Sequence, residues 1–286
     1  MRWLRAPAKI NLTLRVIRRR ADGYHELESL VAFAGLCDWL AFEPGGDLIL
    51  EVLGPRAREA GPLDENLVVR AAHSLATNIP GLRLGRFGLI KRLPAAAGLG
   101  GGSADAAAAL RLLAEEAGLP VDDPRVRASA RATGADVLAC LSPQARIIRG
   151  IGDKLGPAIR LPNIFAVLVN PQIQAPTSKV FAAFDLAPVS SFETRSFPTV
   201  ESGATAVLDF LSLSRNDLQA AAIRVVPPIA SVLKRLSQIP QARVTGMSGS
   251  GATCFALFSD RRSAATTRRI VAAENPGWWV EATGLR

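Results

Sequence analysis

Apolar and polar residues alternate strictly over residues 9–16. Ile10, Leu12, Leu14 and Val16 fall on one side, and Lys9, Asn11, Thr13 and Arg15 on the other. A period of two predicts a half-buried strand with a polar face. Asp22-Gly23 marks a turn after it. Strand-like runs follow at 28–36, 39–43, 48–53 and 82–93, interrupted by helical spacing over 66–76. Residues 103–117 predict a strong helix around Ala106-Ala107-Ala108-Ala109-Leu110, stopped by Gly118 and Pro120. A second helix is expected over 124–133, broken at Gly134.

From 150 to 161 the texture changes to Gly, Pro and short polar steps, so a domain boundary is expected there, dividing 1–155 from 156–286. The second part reads as a buried strand at 164–169, a polar Ser/Thr/Pro-rich loop at 187–202 and a helix at 228–237. Strands at 242–245 and 253–258 then flank the glycine-rich 246–251, before a helix at 262–273 and a closing strand at 278–282. The class is α+β.

Candidate chemistry begins with Pro94-Ala95-Ala96-Ala97-Gly98-Leu99-Gly100-Gly101-Gly102-Ser103-Ala104-Asp105, which joins a strand to the Ala-rich helix. Glycines let backbone N–H groups approach a bulky anion, and a helix start adds unpaired donors and a positive dipole end. Polyphosphate suits that arrangement. Ser103 is placed to cap the helix, to coordinate a phosphate-bound metal, or both. The run is not a Walker A loop, because no Lys follows the glycines, and no βαβ repeat surrounds it as a dinucleotide fingerprint requires. By composition alone it is equally a flexible turn before a helix. Elsewhere, Asp136 follows the helix-breaking Gly134 and reads locally either as a general base or as a cap or turn residue. Lys9 and Asn11 share one strand face.

Pro-x-x-x-Gly-Leu-Gly-Gly-Gly-Ser opening an Ala-rich helix resembles the phosphate loop of the GHMP kinases (galacto-, homoserine, mevalonate and phosphomevalonate kinases). The triple glycine is most similar to the branch whose acceptor is a cytidyl diphosphate sugar alcohol. Ala6-Pro7-Ala8-Lys9-Ile10-Asn11-Leu12 resembles the first motif of the family and Thr245-Gly246-Met247-Ser248-Gly249-Ser250-Gly251-Ala252 the third. Asp22-Gly23-Tyr24-His25-Glu26, Asn170-Pro171 through Phe181 and Asn216-Asp217-Leu218 also resemble that branch. Three positions depart from it: Ala96 stands where Gly is common, Ala104 where a second Ser is common, and Leu138 where Pro follows Val.

The resemblance implies a two-domain GHMP kinase fold. Its N-terminal, ATP-binding half resembles ribosomal protein S5 domain 2, and its C-terminal half is a ferredoxin-like α+β domain. It implies transfer of the γ-phosphoryl of ATP to an alcohol, with Lys9 beside the acceptor hydroxyl and Asp136 as base. Residues Pro94 to Ala104 would hold ATP; Asn11, Tyr24, His25, Phe181 and Gly249 would hold the acceptor, with Tyr24 and Phe181 sandwiching the pyrimidine and His25 meeting its edge. Mg²⁺ would be carried on nucleotide phosphates, reached at most by Ser103, with no protein-only metal site. A mevalonate- or homoserine-type kinase remains a rival reading, as does a nucleotide-binding protein that does no chemistry.

Bulk properties narrow this picture. A length of 286 residues and 49% apolar content suit two medium domains. The net charge of +9 fits anionic small molecules. A nucleic-acid partner would rest on charge alone, since only Arg18-Arg19-Arg20 clusters and no aromatic residues interleave with the basic ones. No apolar run reaches membrane-spanning length, and Met1-Arg2-Trp3-Leu4 shows no signal-peptide core, so no membrane partner and a cytoplasmic setting are expected. Cys37, Cys140 and Cys254 are too far apart for a metal or disulfide pattern. The chain is expected to be a monomer or a homodimer.

Overall fold

Strand β3 (His25–Pro44) is twenty residues long, far beyond an ordinary strand, because different neighbours cover successive stretches of it. In the computed structural model, which describes residues 2–185 and 203–286, β2 (Arg15–Arg19) and β6 (Arg146–Gly150) pair with its first part. β1 (Arg2–Asn11) lies along its middle and β5 (Gly85–Ile90) along its end, all antiparallel. β4 (Ile49–Leu53) runs parallel to β5, and β7 (Lys154–Ala158) pairs with β6.

Helix α2 (Gly101–Glu116) lies against β1 and β3, flanked by α1 (Leu67–Asn78), α3 (Pro124–Thr133) and the short α4 (Val137–Leu141). Ala106 to Ala109 are all buried, so α2 is surrounded on every side. Small side chains at these positions let its neighbours come close, which is why the Ala run marks the centre of this domain.

The second sheet holds β8 (Ile164–Asn170), β9 (Val244–Met247), β10 (Cys254–Phe258) and β11 (Trp279–Leu285) in the order β11-β8-β10-β9, all antiparallel. Helices α8 (Pro228–Ser237) and α9 (Arg261–Glu274) pack on it. Numbered within this domain the order is 4-1-3-2, the expected ferredoxin-like arrangement. α5 (Thr177–Asp185), α6 (Gly203–Ser212) and α7 (Gln219–Val225) are inserted between β8 and α8. The loop expected at 187–202 lies outside the described residues. No helix among the described residues is long and apolar enough to cross a membrane.

Two features differ from the pattern reading. The strand expected over 9–16 is broken: β1 ends at Asn11, Leu14 bridges to Asn216, and β2 resumes at Arg15. Its polar side is interior, with Lys9 and Asn11 at 3% and 5% exposure. Lys9 and Asn11 line a cavity, whereas Thr13 and Arg15 on the same side are half-buried. The division expected at 155/156 falls inside β7, which is bonded to the first sheet; we propose the stretch 159–163 instead.

The two sheets meet at Leu285 and Ala34 and share a core that includes Leu30, Leu99, Leu168, Val207 and Phe255. Leu168 is fully buried there. Leu168→Ala is expected to cost about 2–5 kcal/mol and to shift one common unfolding transition. Urea denaturation followed by circular dichroism and by tryptophan fluorescence checks both; separate transitions for the two probes would contradict the shared core.

Candidate active site

The glycine-rich run behaves as its composition requires. Gly100, with φ 60°, precedes α2 and no side chain caps the helix. Ser103 is therefore the third residue of the helix and not its cap. Ala104 N donates to Gly100 O at 2.9 Å, so the N–H groups of Gly101, Gly102 and Ser103 have no acceptor within the helix. Those three residues line a cavity of about 550 Å³, together with residues 94–98 and Gly100.

Gly98 has φ 74°, and a Cβ on it would lie 2.4 Å from Ser248 O, so only glycine lets this loop rest against the second glycine-rich loop. Ser248 Oγ donates to Gly98 O at 2.7 Å and accepts from Asn11 N at 3.0 Å. Asn216 Nδ2 braces the same loop by donating to Met247 O and Gly249 O. Ala96 sits at φ 49°, in the left-handed region, which explains why glycine is common there in the resembling family.

Lys9 and Asp136 come together from opposite ends of the first domain. Lys9 N donates to Leu99 O at 2.8 Å, which brings β1 alongside the loop. Its Nζ lies 2.7 Å from Asp136 Oδ1 and 3.4 Å from Asn11 Oδ1. Asp136 immediately precedes α4 but makes no side-chain capping bond. Its carboxylate turns to Lys9, with 38% of the side chain exposed against 4% for Lys9. Asn11 is fixed in turn, since its Nδ2 donates to Ser29 Oγ at 2.8 Å. Lys9, Asn11, Asp136, Phe181 and Gly249 all line the cavity of the glycine-rich loop.

The expected aromatic sandwich is not brought together. Phe181 stacks on His25, with centroids 4.6 Å apart, and Tyr24 is 61% exposed in the turn before β3. His25 Nε2 is 2.6 Å from Asp185 Oδ1, so the edge expected to meet a base already has a protein partner. The basic run is paired, Arg18 with Glu26 and Arg20 with Asp22 locally, and Arg19 with Asp185 of α5. The three cysteines are free and buried, and burial pushes the Cys140 thiol up to about 12.

Sequence reasoning missed a buried ionic group under the loop. Lys91 Nζ lies 2.5 Å from Asp38 Oδ2 and 2.8 Å from Asp105 Oδ2, and all three side chains are almost wholly buried. Burial alone would lower the affinity of Lys91 for its proton, but Asp105 and Asp38 outweigh it and raise its pKa. Burial pushes the Asp105 carboxyl up to about 7, with Lys91 opposing and Asp38 adding. Lys91-Arg92-Leu93-Pro94 gave no local signal, because the carboxylates come from 53 residues before and 14 after. Asn66 and Glu59 at the other end of the cavity were also missed.

Comparison with known proteins places this geometry. Residues 66–144 match the model of the GHMP kinases N terminal domain, and residues 202–277 that of the GHMP kinases C terminal domain. The 4-diphosphocytidyl-2-C-methyl-D-erythritol kinase of Xanthobacter autotrophicus is 54% identical over 287 residues, covering 99% of this chain and 98% of that one. The chain belongs to the GHMP kinase family. A protein of the same name from Methylorubrum extorquens is 54% identical over 284 residues, covering 98% of each chain. A crystal structure of 4-(cytidine 5'-diphospho)-2C-methyl-D-erythritol kinase superposes with a TM-score of 0.80 at 34% identity, covering 99% of both chains. A homoserine kinase from Cytophaga hutchinsonii, at 16% identity and TM-score 0.68 over 98% of this chain and 93% of that one, shares the fold.

Within this GHMP kinase, Ala96 is the one loop residue held against its own preference. Ala96→Gly is expected to stabilise the protein by about 0.5–1 kcal/mol, the relief of a left-handed Ala less the extra freedom of glycine in the unfolded chain. A thermal melt checks the sign, and a fall in midpoint would contradict it.

Proposed function

We propose that this GHMP kinase transfers the γ-phosphoryl group of ATP to the 2-hydroxyl of 4-diphosphocytidyl-2-C-methyl-D-erythritol, a step of the non-mevalonate route to isopentenyl diphosphate. The observation that carries the chemistry is the Lys9–Asp136 pair, 2.7 Å apart on the wall of the cavity that the first turn of α2 also lines. The choice of acceptor rests on the full-length relatives that bear its name.

In this reading Asp136 takes the proton of the hydroxyl while the new O–P bond forms and the bond to the β–γ bridging oxygen breaks, releasing ADP. Lys9 orients the Asp136 carboxylate and offers positive charge to the oxygen that attacks. Gly101, Gly102 and Ser103 present backbone N–H groups to the phosphates. The rest of the run from Pro94 to Ala104, with Ala95, Ala96, Ala97, Gly98, Leu99 and Gly100, shapes the cradle. Mg²⁺, bound with the nucleotide, would supply charge neutralisation, and Ser103, which lines the cavity beside Gly101 and Gly102, would be the protein residue to hold it. Asn11 and Gly249, which line the same cavity, hold the acceptor in this reading.

Tyr24, His25 and Phe181 are the side chains for the cytidyl end. For that role Phe181 leaves its stack on His25 and meets the base on the side away from Tyr24. Dependence on ATP supports a cytoplasmic setting.

Transfer of label from ATP to a panel of alcohols tests the reading. The cytidyl sugar alcohol is expected to be turned over and mevalonate and homoserine not; the reverse order would sink the assignment. Asp136→Asn is expected to lower kcat by about a hundred- to ten-thousand-fold with ATP binding retained by calorimetry. Near-normal turnover would remove Asp136 from the base role.

A further inference from the structure

The phosphate loop has a buried fastening at each end, and both fastenings meet on one ammonium group. Asp38 Oδ1 accepts from Arg92 N at 2.5 Å and Leu93 N at 2.8 Å, which fixes the chain just before Pro94. Asp38 Oδ2 accepts from Lys91 Nζ, and the same ammonium donates to Asp105 Oδ2 in the second turn of α2, just after the loop. A Cβ on Gly101 would lie 3.2 Å from Lys91 Nζ, so the helix starts directly over the ammonium. Lys91 and Asp105 both border the nucleotide cavity.

This arrangement is costly. Two carboxylates and one ammonium, all at 4% side-chain exposure or less, have lost their water, and the group carries one more acid than base. Asp105 Oδ1 is buried with no hydrogen-bond partner. Asp38 and Lys91 already form a complete pair, so stability does not call for Asp105. An extra acid beside a polyphosphate site does not serve attraction either. What Asp105 adds is a fixed distance between α2 and the chain before the loop.

We propose that Asp38, Lys91 and Asp105 form a clamp that sets the spacing of the phosphate loop for the nucleotide, with Asp105 as its positioning residue. Resting on the ATP-dependent reading above, the proposal concerns the nucleotide and not the acceptor.

The test compares Asp105→Ala and Asp105→Asn with the wild-type enzyme. In Asp105→Ala the dissociation constant of ATP by calorimetry and KM for ATP are expected to rise about ten-fold, the worth of one charge-assisted hydrogen bond. The melting midpoint should hold or rise, and KM for the alcohol and kcat at saturating ATP should stay near wild type. Asp105→Asn, which keeps an oxygen for Lys91 but loses the charge, should weaken ATP binding by a smaller factor, about three-fold, and it carries the comparison if the alanine variant does not fold. Unchanged ATP affinity in either folded variant would overturn the clamp. So would a lower midpoint with kcat and both KM values impaired together, the mark of a merely structural residue. Failure of the wild-type enzyme to phosphorylate the alcohol would strike the function assigned above, while calorimetry with ATP would still read the clamp.

Discussion

The first turn of α2 has to stand open. An anion site at a helix start exists only while its amide groups have no side chain of their own to satisfy them, and Gly100 before α2 offers none. An uncapped end next to three glycines has little to hold its shape, because glycine adds freedom exactly where order is needed. Support must therefore come from outside the loop. Lys9 N bonds to Leu99 O, Ser248 Oγ to Gly98 O and Glu59 Oε2 to Ala95 N, while Asp38 holds the two amides that precede Pro94. Both domains supply these braces, so shaping the glycine-rich loop and joining the domains are one packing problem.

That constraint explains which parts were legible in the sequence. Helices α3 and α8 were read to the residue, because Pro at the first helical position and a clear stop leave little choice. The open helix start after the glycine run was legible for a local reason, since strand, loop and helix start are consecutive. The partnership of Lys9 with Asp136 was not, since nothing in either neighbourhood specifies a contact spanning 127 positions. Resemblance to a family supplied it.

The parts that stayed hidden share a physical cause. The surroundings of the polar side of residues 9–16 were not legible, because alternation reports two faces and says nothing of what lies beyond the polar one. Here Lys9 and Asn11 face a cavity walled by the second domain. Strands β6 and β7 are five residues each and carry no long apolar run, so their pairing with each other and with β3 is a tertiary outcome. Lys91 read as an ordinary basic residue before a turn. Its burial between Asp38 and Asp105 depends on β3, β5 and α2 already being in place.

The aromatic cluster shows the same dependence at the acceptor end. His25 begins β3 in the first domain, whereas Phe181 and Asp185 belong to α5 of the second. Stacking on one face and a 2.6 Å contact at Nε2 tie that helix to the β2–β3 turn. On the reading proposed above, a base entering there would compete with a contact the protein makes with itself, and would have to shift α5 or turn Phe181. Thr177, at the other end of the same helix, sits 3.0 Å from Ser250 in the loop that carries Gly249. Helix α5 thereby links the His25 end, through Ser250, to the loop whose Ser248 braces Gly98. On the reading proposed above, the residues for the acceptor and for the phosphate donor are joined through one structural element, which is what a transfer between two bound molecules requires of its enzyme.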